Sequence, residues 1–88
     1  MHHNNKIVRL ALGSRVRALR KQAGLTQELL AQRCHIFRPY LSRIEGGTAN
    51  PSLQVLATLA TALQVTVHEL FAVGNGHPAP PASGEPAA

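Results

Sequence analysis

Between Val8 and Phe71 the apolar residues recur every three or four positions, and Gly, Pro, Ser and Thr punctuate the runs. Val8, Leu12, Val16 and Leu19 are spaced i, i+4, i+8 and i+11, which places them along one face of a helix. Asn5 is a suitable N-cap for this helix, and Gly24 is a natural C-terminal stop. Gly13, inside it, costs about 1 kcal/mol relative to Ala, so the first turns are expected to be loose. Thr26 is placed to cap a second helix, "QELLAQRC", with Leu30, Ala31 and Cys34 inward. A third helix falls in "CHIFRPYLSRIEGG", with Leu41 and Ile44 inward. Pro39 suits its first turn, where φ near −65° is required and an amide hydrogen would find no partner. "GGTANP" is a loop by composition. Ser52 then caps a fourth helix whose core stripe is Leu53, Leu56, Ala60 and Leu63. "TVHE", Thr66 to Glu69, carries the hydroxyl and carboxylate of a capping box and opens a short fifth helix holding Leu70 and Phe71. No stretch alternates as a strand does. The predicted fold is all-α, a five-helix domain over residues 6–73, with a flexible N-terminus at 1–5 and a flexible Pro/Ala/Gly-rich tail at 74–88.

Composition narrows the function. Eighty-eight residues suffice for one small domain. Charges interrupt every apolar stretch before it reaches membrane-spanning length, and "MHHNNK" lacks the apolar region of a signal peptide. Cys34 is the single cysteine, which excludes an internal disulfide and a cysteine-based zinc cluster; it reads as a small buried hydrophobe in a cytoplasmic protein. Met1-His2-His3 has a spacing that can chelate copper or nickel but reads as an unstructured end, and His68 sits exposed in the capping box. There is no Asp, and no acid pairs with a His and a nucleophile at a recognisable spacing, so neither an enzyme nor a bound cofactor or metal is expected.

Charge placement says more than the net value of +5. All nine Lys and Arg residues lie between Lys6 and Arg43, where Glu28 is the sole acid, and the other three acids, Glu45, Glu69 and Glu85, follow Ile44. A basic half beside an acidic half points to a polyanion on one face. A membrane surface is the rival polyanion, but the basic segment lacks the broad Trp/Phe/Leu face of an interfacial membrane helix.

The second and third helices are joined by only "HIF", and so short a joint sets two helices near a right angle. "GLTQ", the following "LA", "YLSRIEGG", "NPSL" and "VHELF" occur in this order between Leu12 and Phe71. With these pieces the chain resembles the Cro/phage-repressor type of helix-turn-helix domain, also called the xenobiotic-response-element family. The resemblance implies a lambda-repressor-like fold and a DNA-binding transcriptional regulator. Its third helix would enter the major groove and its second would cross the phosphate backbone, with a homodimer on a pseudo-palindromic operator.

Residue by residue, the resemblance puts Arg38 at a base-reading position, where arginine can grip guanine O6 and N7. Arg43 lies about 140° further around the helix and is assigned to a base or a phosphate. Ser42 and Tyr40 are assigned to DNA as well, Tyr40 with packing against the second helix as its alternative, and Pro39 shares their surface. Gln27 matches the family glutamine that touches the backbone and braces the reading helix. Thr26, Thr48 and Asn50 are phosphate candidates, although capping explains Thr26 and turn geometry explains Asn50. Arg20 and Glu45 are expected to form a partly buried ion pair away from DNA, and Arg15 and Arg17 to act as solvated cations. Val65, Val67, Phe71 and Val73 are assigned to a dimer interface. Three residues depart from the family pattern. Phe37, counted with the DNA-facing residues, stands where Ser or Thr usually caps the third helix; its ring can pack on a thymine methyl or on the protein, with packing on the protein slightly favoured. His35 stands at a common glycine, and Gly46 replaces a polar residue. The alternative reading is an antitoxin or interaction module that keeps this fold and binds a protein, such as a toxin or RNA polymerase.

Overall fold

Three helix starts are fixed by side-chain oxygens accepting from the first free amides. Thr26 Oγ1 accepts from Leu29 N at 3.1 Å, Ser52 Oγ from Val55 N at 3.2 Å, and Thr66 Oγ1 from Glu69 N at 3.0 Å. At the last of these Glu69 Oε1 accepts in return from Thr66 N at 2.8 Å, completing the capping box. The computed structural model describes residues 2–72, so Val73 and the tail at 74–88 lie outside the described residues. The elements are α1 His2–Gln22, α2 Gln27–Cys34, α3 Arg38–Glu45, α4 Leu53–Leu63 and α5 Val67–Leu70, and no strand forms among the described residues.

The core is aliphatic. Val16 of α1, Leu30 of α2, Leu41 and Ile44 of α3, Leu59 of α4 and Leu70 of α5 are almost fully buried. Each such side chain contributes roughly 1.5–3 kcal/mol by leaving water, so all five helices are needed to close the core. α3 packs against α1 and α2, α4 against α2, and α5 against α4 and α1. This arrangement buries one face of α3 and leaves the other open.

Five expectations are corrected. α1 starts at His2, so residues 2–5 are helical rather than a flexible lead, and Asn5 lies inside the helix instead of capping it. No Pro or Gly interrupts residues 2–12, so helical bonding continues toward the N-terminus. Val8 is 47% exposed beside exposed Ile7 and Leu10, because the first turns of α1 project past the elements that cover Leu12 and Val16. Leu53, on the leading turn of α4, is 72% exposed rather than part of the stripe that Leu56, Ala60 and Leu63 bury. Arg15 is more than a solvated cation: its Nε donates to the Glu69 carbonyl at 3.0 Å and ties α5 to α1.

Gly13 acquires a role the helix pattern did not suggest. α1 runs through it without a break, and it is buried against the end of α3. A Cβ there would lie 2.5 Å from the Glu45 carbonyl oxygen and equally hard against that of Ile44. Real Cβ atoms do not approach backbone so closely. The missing side chain therefore sets the α1–α3 distance.

Candidate nucleic-acid interface

α2 ends in a Schellman closure: the Ile36 amide donates to the Ala31 carbonyl at 3.0 Å and the His35 amide to that of Gln32 at 3.2 Å. His35 adopts the left-handed conformation this closure requires, with φ 56° and ψ 41°. For a residue with a Cβ that conformation costs about 1 kcal/mol. Ile36 packs on the core and anchors the turn.

The chain then enters α3 through Phe37, whose backbone is extended and whose side chain makes no capping hydrogen bond. Its carbonyl accepts from Tyr40 N at 3.0 Å and Leu41 N at 3.1 Å. Pro39 in the first turn has no amide to satisfy. The expected packing of the Phe37 ring is not found. The residue is 82% exposed, because the short turn points it away from α2 and the core. Beyond it α3 divides cleanly: Leu41 and Ile44 face inward, Tyr40 is half-buried against the core, and Arg38, Pro39, Ser42 and Arg43 are exposed.

A hydrogen-bond chain runs from the core to this exposed face. Arg20 Nε donates to Glu45 Oε2 at 2.6 Å and Arg20 Nη2 to Glu45 Oε1 at 3.0 Å. The two side chains are 10% and 4% exposed. Arg20 Nη1 donates to the Leu25 carbonyl at 2.8 Å. Such a bidentate pair is held by geometry as much as by charge, and removing one partner strands the other. Glu45 Oε1 also accepts from Gln27 Nε2 at 3.0 Å. That contact orients the amide, since the reversed rotamer would set an oxygen against the carboxylate. Gln27 Oε1 is left facing Arg38, whose Nη1 lies 3.4 Å away. One carboxylate thus links α1, α2 and α3, and its last branch reaches the exposed Arg38.

Beyond α3 the loop folds back on its end. Thr48 N and Oγ1 donate to the Arg43 carbonyl at 2.9 and 3.3 Å, and Arg43 Nη2 approaches the Thr48 carbonyl at 3.5 Å. Thr48 and Asn50 are exposed, as is Thr26 at the start of α2. Gly46 has ordinary right-handed geometry, while Gly47 has φ 79° and takes the turn. The open side of α3 therefore carries two arginines, hydroxyls and one phenyl ring, and its only acid, Glu45, points inward.

The apolar residues near α5 are less uniform than the sequence suggested. Val65 and Val67 are half-buried against the core, whereas Phe71 is 39% exposed. Val73 lies outside the described residues. The resemblance implied that Gln27 braces α3 but not that it meets Arg38, and the Arg15–Glu69 contact was not expected; these contacts span 11 and 54 positions and leave no local signature.

Comparison with known proteins gives a consistent result. A family model described as a helix-turn-helix domain matches residues 11–72. The HTH-type transcriptional regulator DdrOP3 of Deinococcus deserti is 43% identical over 62 residues, covering 70% of this chain and 48% of that protein. Control protein C.BamHI of Bacillus amyloliquefaciens is 38% identical over 72 residues, covering 77% of this chain and 89% of that one. Among solved structures, the restriction-modification controller protein C.AhdI from Aeromonas hydrophila superposes with a TM-score of 0.69 at 42% identity, covering 70% of this chain and 94% of that chain. The chain spans 48% and 40% of the length of two of the curated relatives it matches, DdrOP3 and the immunity repressor protein of Bacillus phage phi105.

Proposed function

Because the chain belongs to the helix-turn-helix domain family, we propose that it is a sequence-specific DNA-binding transcriptional regulator. The observation that carries this reading is the face of α3. Arg38, Ser42 and Arg43 are exposed there, and the one acid of the helix is turned inward and neutralised by Arg20. An α-helix fits the major groove, and residues at its N-terminal end reach base edges. Arg38 would grip a guanine, held at the angle that Gln27 sets. Arg43 lies further around the helix, within reach of a base or the flanking phosphates. Thr26, Gln27, Tyr40, Ser42, Thr48 and Asn50 would fix register through phosphates, contacts that carry no sequence information themselves. Thr26 Oγ1 already accepts the Leu29 amide but keeps its own hydrogen to donate.

Two copies would read half-sites about 34 Å apart. Phe71 would lead the contact between them, with Val65 and Val67 at its margin, and the protein would act in the cytoplasm. Among the described residues no helix is long and apolar enough to cross a membrane.

In-vitro selection from random duplexes tests the reading. The expected outcome is an enriched pseudo-palindrome, bound more weakly as salt rises, with the slope of log K against log salt growing by roughly 0.9 per phosphate contacted. Arg38→Ala should relax one position per half-site and cost about 1–3 kcal/mol there. If no sequence is enriched, the regulator reading fails. Gel filtration with light scattering tests the dimer, and a monomer at micromolar concentration would argue against it.

A further inference from the structure

Phe37 is the most exposed large apolar side chain in the described structure, and it sits at the entrance to the reading helix. A Ser, Thr, Asn or Asp there would satisfy a free amide of α3, yet the phenyl ring satisfies none and is not among the apolar side chains packed on the core. Its surroundings are cationic. Arg38 follows it directly and Arg43 lies on the same open side of α3, so a second copy brought against this patch would meet the same charges. The arginines suit a polyanion and the ring does not, which asks what apolar group a polyanion can offer.

In the major groove the answer is narrow. Base edges there display hydrogen-bond donors and acceptors, and the apolar group among them is the C5-methyl of a pyrimidine. Consecutive Cα atoms lie about 3.8 Å apart, close to the roughly 3.4 Å rise between base pairs. Adjacent residues at a helix start can therefore address adjacent base pairs.

We propose that Phe37 and Arg38 together read a 5-methylpyrimidine beside a guanine, with the ring on the C5-methyl and the guanidinium on guanine O6 and N7. The assignment rests on the DNA-reading function proposed above and adds its specificity. The two side chains are held differently. Arg38 is braced through Gln27 to Glu45, while Phe37 is free to settle on the base. The methyl has two natural sources, thymine and 5-methylcytosine, which present the same group at the same place.

The test begins with selection from two random duplex pools, one unmodified and one with every cytosine methylated at C5. In the enriched sequence the methyl at the assigned position is then removed in one half-site, by thymine→deoxyuridine or 5-methylcytosine→cytosine. Wild-type binding should weaken about fourfold, the worth of one buried methyl. The substitution that matters identifies the source. Phe37→Ser can cap α3, so it should fold at least as well, as a thermal melt would verify. It should bind the methylated site more weakly and lose the discrimination, while Phe37→Leu keeps part of it. Equal binding with and without the methyl would overturn the Phe37 assignment and leave DNA reading intact. Discrimination that persists in Phe37→Ser would overturn it too, by placing the methyl on another residue. No enrichment in either pool would overturn the regulator reading and this inference with it.

Discussion

Replacing Gly13 by Ala sets two rules against each other. In the interior of a helix Ala is about 1 kcal/mol better than Gly, so α1 taken alone should gain from the change. In the folded domain the added Cβ would lie 2.5 Å from the Glu45 oxygen and 2.8 Å from its carbonyl carbon. Ordinary contact begins near 3.4 Å, so α1 and α3 would have to part by about 0.9 Å. Neither side can yield cheaply, because the atoms met are backbone. A radial gap of this size forfeits a quarter to a half of the dispersion attraction across the joint, and overpacking typically costs about 1–3 kcal/mol. Taking the upper end for a contact between two backbones and subtracting the propensity gain leaves a loss of about 2 kcal/mol. A domain of this size should then melt roughly 8–16 °C lower. Urea and thermal unfolding followed by circular dichroism would measure it, with Ser14→Ala as an exposed control on the same helix. Stability equal to or above that of the parent protein would refute the reasoning, because it would mean that propensity outweighs the close approach.

Other outcomes can be checked on the same protein. Glu45→Ala should destabilise by about 3–5 kcal/mol, since it leaves Arg20 charged and buried, and a urea midpoint near that of the parent would contradict the ion-pair account. His35→Gly should stabilise by about 1 kcal/mol by removing left-handed strain, read as a higher melting temperature. Burial pushes the Cys34 thiol above its ordinary pKa, so the folded state keeps this proton longer than the unfolded chain. Its contribution is complete below the ordinary thiol range and is lost as pH rises through and beyond it. The urea midpoint should therefore fall more steeply at alkaline pH for the parent than for Cys34→Ala, and identical slopes would count against this.

The parts of the fold that were legible are those written locally. Thr26, Ser52 and Thr66 each stand three residues before the amide they receive, and the capping box is complete within four residues. Periodicity placed Leu12, Val16, Leu41, Ile44, Leu56 and Leu63 correctly, because buried faces repeat with the helical turn. It failed at Val8 and Leu53, since a repeat identifies a face but not where the neighbouring element stops. Gly13 was read as a weak point because the helix pattern carries no information about a backbone some thirty positions away. Arg15 was read as a free cation for the same reason. At the interface, the arginines and the Arg20–Glu45 pair were expected through family resemblance, whereas the link from Glu45 through Gln27 to Arg38 needed three dimensions. Phe37 was misjudged because an apolar residue is ordinarily assumed to find cover, and only the direction of the turn shows that it does not.

The shared carboxylate of Glu45 also bears on how such a protein could be retargeted. Arg20, Gln27 and Glu45 each come from a different helix, and neither Arg20 nor Glu45 is replaceable without stranding the other. Positions 37, 38, 42 and 43 project outward from that frame, and their side chains bear no part of the core. Recognition and folding are thus written in separable sets of residues in and around α3. A new target sequence becomes a matter of exchanging four letters on a fixed mount, and a combinatorial library confined to them should stay almost entirely folded.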